Sequence, residues 1–94
     1  MTPEQKERRN FAREIARNIL EYRNFVKESL EQADLCTKMA DEFAKAGKYD
    51  KSNDCIAICD KYLDMVRKVN PKIDALKKQL TEYVNIVKQL ERYE

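Results

Sequence analysis

Chemistry in this chain would have to be thiol or carboxylate chemistry. Its 94 residues hold three cysteines and no histidine. Cys55 and Cys59 are four residues apart, which puts them on one face of a helix. Folding the chain at its midpoint sets Cys36 opposite Cys59. Three thiols are a soft-metal set short of a fourth ligand, and only Asp54 or Asp60 lies near enough in sequence to complete it. A buried thiol is also an ordinary small packing residue. With no full ligand set readable, packing is the role we assign, and neither metal nor cofactor is expected. The missing histidine removes the commonest general base. Tyrosines and paired acids are present, but no nucleophile stands beside a base. The expectation is a protein with no catalytic residues, not an enzyme.

The elements that position these groups are long helices. Charged residues make up 38% of the chain, and glycine and proline together number three, a composition of helices rather than of strands and turns. Thr2-Pro3-Glu4-Gln5 is a helix start: Thr2 caps, Pro3 suits the first helical position, and Gln5 stands where a capping-box partner belongs. No glycine or proline follows until Gly47. The spacing predicts a helix over 3–46 of about 65 Å, a turn at 47–50 with Gly47 as the C-terminal cap, and a helix over 51–69 continuing as 71–93. Asp50 or Ser52 is the candidate cap for the second helix. Asn70-Pro71 is a start signal for a third helix, yet the apolar phase runs through it, so a kink or brief break is expected there, not a reversal.

Ile15, Ile19, Tyr22, Val26, Ser29, Ala33, Cys36, Ala40 and Phe43 alternate in steps of four and three, with Ser29 the weak link. Cys55, Cys59, Tyr62, Val66, Val69, Ile73, Leu76, Leu80, Tyr83, Val87 and Leu90 do the same. That is a heptad pattern. Folded at Gly47, the two rows match: Ile15 faces Leu80, Val26 faces Val69, and Cys36 faces Cys59. The fold class expected is all-α, a long antiparallel helical hairpin resembling a coiled coil. The alternative is a compact three-helix bundle.

The Cys-x3-Cys spacing resembles half of the small mitochondrial translocase chaperones, whose helical hairpins carry two such pairs. Here the first helix has Cys36 alone. Phe43 to Ser52 resembles the helix-to-helix turn of tetratricopeptide and microtubule-interacting-and-transport domains. That resemblance covers about ten residues and implies shared turn chemistry, since no 34-residue repeat accompanies it.

Apolar residues spill beyond the seam. Phe25, Leu30 and Met39 flank it on the first helix, and Ile58, Met65 and Ile86 on the second. A two-stranded seam has no use for them, so they are candidate partner-binding residues, either in a four-helix bundle of two hairpins or against a larger protein. Charge is uneven too. Residues 1–27 and 65–94 each carry net +3 and residues 28–64 carry net −4. A hairpin then has a basic open end, with Arg8, Arg9, Arg13, Arg17, Lys72, Lys77 and Lys78 as a second candidate surface. Glu4, Glu7, Glu14 and Glu82 are interleaved with it as expected of helix-stabilising pairs. We expect a non-enzymatic protein–protein interaction module: an adaptor, regulatory subunit or small inhibitor that binds a larger protein through helical surfaces, and a homodimer without one. The alternative is a nucleic-acid-associated protein using the basic end. No apolar run has membrane-spanning length, the opening residues show no signal-peptide pattern, and an odd cysteine count suits a reducing, cytoplasmic setting.

Overall fold

A computed structural model describes residues 1–93. It is an all-α helical hairpin of two helices, α1 (Pro3–Lys45) and α2 (Tyr49–Glu91). No strand occurs among the described residues. The α1 start follows its sequence signal. The Gln5 amide donates to Thr2 Oγ1 (3.2 Å) and the Thr2 amide donates to Gln5 Oε1 (3.0 Å), so two otherwise unpaired donors are satisfied reciprocally.

The turn is tighter than expected: α1 ends at Lys45 and α2 begins at Tyr49. The Lys48 amide bonds the Phe43 carbonyl (2.8 Å) and the Gly47 amide bonds that of Ala44 (3.0 Å). Those two bonds make a Schellman motif, which needs a left-handed residue, and Gly47 supplies it at φ 76°. Neither Asp50 nor Ser52 caps α2, because both already lie inside it. Ser52 is instead buried, and its hydroxyl donates to the Ala40 carbonyl across the hairpin (2.8 Å). In the last turn of α1, an exposed ion pair to Asp41 (2.9 Å) raises the Lys45 ammonium above the usual lysine range by hydrogen bonding and charge attraction.

The chain divides into two compact units, residues 1–23 with 71–94 and residues 24–70. In the first, Ile15, Ile19 and Ile73 are buried, and Tyr22, Leu76, Leu80, Tyr83 and Val87 are half-buried. Phe11 stacks edge-on against Tyr83, ring centroids 4.8 Å apart. In the second unit, Ser29, Ala33, Ala40, Ser52, Cys55 and Val66 are buried. The polar Ser29 is among the least exposed residues of the chain at 4%, small enough to sit where the helices approach closely. The seam also runs further than the apolar pattern indicated, because Gln5, Arg8, Ala12 and Ser52 continue the same three–four spacing and are half-buried or buried. Leu90 is the exception, 49% exposed. The register sets it against Gln5, near the start of α1, where there is little helix left to cover it.

At Asn70-Pro71 the helix continues, with no break between Tyr49 and Glu91, and a separate third helix does not form. Proline has no amide proton, so the Arg67 carbonyl lacks its ordinary helical partner. Asn70 and Pro71 are exposed, so water can serve that carbonyl at small cost.

Two outcomes follow for chemical denaturation. Gly47→Ala meets no steric neighbour, since nothing lies within 4 Å of the added Cβ, but the left-handed backbone makes it destabilising by about 1–2 kcal/mol. An unchanged midpoint would mean the turn relaxes. Pro71→Ala restores a helical hydrogen bond and should stabilise the chain, by up to about 3 kcal/mol; a loss of stability would show that proline is favoured there.

Candidate functional site

With the seam at heptad positions a and d, starting from Gln5 and Arg8 on α1 and Ser52 and Cys55 on α2, each helix has two flanks. Positions e and b lie on one side and g and c on the other. Reversing chain direction at the turn puts e beside e and g beside g. The grooves of the first unit show this. One, of about 570 Å³, is lined by Ala16, Ile19, Leu20, Arg23, Lys77, Leu80 and Thr81. Another, of about 240 Å³, runs past Arg9, Ala12, Val84, Val87 and Lys88. Both are e/b flank, hollow because the small Ala12 and Ala16 leave the seam uncovered.

All six apolar flank residues singled out from sequence are surface residues, between 40% and 54% exposed. They do not make one row. Phe25, Met39, Ile58 and Met65 share the g/c flank of unit 24–70, where Leu35, at position c and 52% exposed, joins them. Leu30 is at position e, on the opposite flank, with Ile56 and the half-buried Leu63. Ile86 belongs to the other unit. Leu35 and Ile56 are absent from the sequence-derived set because an apolar count along the chain does not separate the two flanks, whereas the heptad letters do.

The basic residues are likewise split. Arg9 and Lys77 occupy e and Arg13 b, whereas Arg17 and Lys78 point outward at f and Lys72 lies at g. Arg8 is a seam residue, half-buried, its Nε donating to the Glu4 carbonyl (3.4 Å). Among the described residues Glu4, Glu7, Glu14 and Glu82 make no ion pair with Arg9, Arg13, Arg17, Lys72, Lys77 or Lys78, whereas Asp34–Lys38, Asp41–Lys45 and Asp64–Arg67 pair within unit 24–70. Glu7, Glu14 and Glu21 recur at position c, across the helix from Arg9 and Arg23.

All three cysteines are free thiols, Cys55 buried and the other two half-buried. Thr37 Oγ1 donates to the Ala33 carbonyl (2.9 Å). With its one proton so used, it accepts from the Cys59 thiol at 3.4 Å, which places Cys59 against the turn of α1 that carries Cys36. Among the described residues no three His, Cys, Asp or Glu side chains are grouped to hold a metal ion, and no helix is long and apolar enough to cross a membrane. No family model matches the chain, and neither the curated proteins nor the solved structures give a match.

Thiol labelling of the native protein should modify Cys36 and Cys59 ahead of Cys55, whose reaction waits on local opening. Equal rates at all three, resolved by mass spectrometry, would contradict the packing around Cys55.

Proposed function

We propose that this chain is a non-enzymatic protein-interaction module, an adaptor, regulatory subunit or small inhibitor, whose g/c flank in unit 24–70 docks on a helical surface of a larger protein. The observation that carries the reading is the cluster Phe25, Leu35, Met39, Ile58 and Met65, five large apolar side chains each at least 40% exposed on one flank. Soluble proteins rarely leave a contiguous apolar patch of this kind without a use. Covering the exposed half of each side chain contributes roughly 1 kcal/mol. Five such contributions total roughly 5 kcal/mol, short of the roughly 8 kcal/mol of micromolar association, so a partner must contribute its own buried apolar surface as well to cover side-chain ordering and lost rigid-body freedom. Glu28 and Glu42 on α1 and Lys61 and Lys68 on α2 rim the patch at position c with opposite signs, which would fix a partner's orientation more than its affinity.

The test is a photo-reactive residue at Met39 in the native host, with one at Lys38 as control. Lys38 is the next residue, exposed but off the patch. The Met39 probe should join the chain to one larger protein, and Phe25→Glu with Met65→Glu should abolish that adduct while leaving helicity by circular dichroism intact. No adduct at Met39, or the same adducts from Lys38, would remove the reading. Unfolding of the double variant would place both residues in the chain's own core.

A further inference from the structure

We propose that the e/b groove of residues 1–23 and 71–93 is a docking site for an acidic amphipathic helix of another protein. It is a second surface, on the opposite flank from the g/c patch, and it does not rest on the docking proposed above. It lies wholly inside one compact unit. The two hollows of this flank follow one another along the hairpin. Ala12 in one and Ala16 in the other are a single turn apart on α1, and so are Val84 and Leu80 on α2. The small alanines therefore open a continuous groove, floored by Ala12, Ala16, Ile19, Leu20, Leu80 and Val84. Leu20 is 58% exposed. Arg9 and Arg23, at its two ends, are fourteen residues apart, about 21 Å or four turns of helix.

Charge decides what fits the groove. Positions e and b of this unit carry Lys6, Arg9, Arg13, Arg23, Lys77 and Lys88 against two acids, Asp74 and Glu91. Arg9, Arg13, Arg23, Lys77 and Lys88 make no ion pair among the described residues, so their charge is left for a partner. Arg9 and Lys88 stand at one end of the groove and Arg23 and Lys77 at the other. The groove thus has a cation at each corner and an apolar floor between them. Thr81 Oγ1, on the wall, donates to the Lys77 carbonyl of its own helix (3.0 Å), so recognition rests on apolar contact and charge. A third helix matches both, with apolar residues at i, i+3, i+4 and i+7 on the floor and Asp or Glu flanking that stripe. Other occupants match less. A nucleic-acid duplex would use the cations through its phosphates and leave the floor unfilled. A small amphiphile needs most of its surface enclosed, and Ala16, Leu20 and Thr81 are all exposed. A lipid surface is broad, whereas this floor is recessed between two helices.

Amide chemical shifts of the full chain, titrated with three synthetic helices of about five turns, test this. The first has a leucine stripe flanked by glutamates. The second has the same stripe flanked by lysines. The third has the composition of the first with its leucines dispersed around the helix. The first should shift the amides of Ala12, Ala16, Leu20, Thr81 and Val84 and leave those of Met39 and Met65 in place. It should bind at least tenfold more tightly than either of the others, and more weakly as salt is raised. Arg23→Glu with Lys77→Glu should cost the glutamate helix at least tenfold and improve binding of the lysine helix. Arg23→Gln with Lys77→Gln should cost less, and Leu20→Gln should weaken binding with every charge in place. These positions are exposed, so helicity should be retained; if a variant loses it, the wild-type shift map and the preference among the three helices still decide. Phe25→Glu with Met65→Glu should leave binding unchanged, which separates failure of this site from failure of the docking reading. Equal binding of the three helices, or no saturable shift at millimolar peptide, overturns the inference. So does a shift map centred on Met39 and Met65. Tighter binding of a mixed-sequence DNA duplex, or of phosphatidylcholine vesicles containing phosphatidylserine, than of the glutamate helix overturns it in favour of nucleic acid or lipid. The same groove shifts on concentrating the chain alone would overturn it in favour of a second copy.

Discussion

Two helices can cover each other only along one stripe, and here that stripe is narrow. An antiparallel pair buries its a and d positions and little else. The buried set accordingly consists of side chains such as Ser29, Ala33, Ala40, Ser52 and Cys55 in one unit, with isoleucines at Ile15, Ile19 and Ile73 in the other. No large side chain is fully buried anywhere in the described chain. Small residues at the seam bring the backbones close, and close backbones let Ser52 on α2 reach a carbonyl on α1. The same economy leaves Phe25, Leu35, Met39 and Met65 without cover, because a third helix, which would have covered them, does not form.

Much of this was legible in sequence, and for a local reason. A heptad phase, a capping box and a glycine C-cap each depend on residues a few positions apart, so spacing alone identifies them. The antiparallel register also followed, because a single glycine at the midpoint leaves one place to fold. Part of what was not legible needs the two helices together. Ser52 has the chemistry of a cap, and only the facing Ala40 carbonyl shows that its hydroxyl is used across the hairpin. Leu30 and Phe25 look alike as flank residues, yet five residues along a helix carry one to the other side. Glu14 and Arg17 are three residues apart, a pairing distance on a helix, yet no ion pair joins them among the described residues. Pro71 is a stop signal whose cost depends on exposure, and exposure is a property of the folded chain.

The two flanks differ in a way that divides their uses. On α1, position c holds Glu7, Glu14, Glu21, Glu28 and Glu42, broken only by Leu35. Two copies meeting g/c to g/c with their α1 helices adjacent would bring these carboxylates together, and like charges across an interface are strongly unfavourable. The e/b flank has no such uniform row, since position b changes from Lys6 and Arg13 to Asp34 and Asp41 along the same helix. A row that changes sign along its length is complementary to itself when reversed, and a row of one sign is not. The exposed apolar side chains Phe25, Leu35, Met39, Ile58 and Met65 lie on the flank whose α1 row is acidic, while Lys61 and Lys68 stand at the same heptad position of α2, so beside these side chains the flank is acidic along α1 and cationic at those two positions of α2.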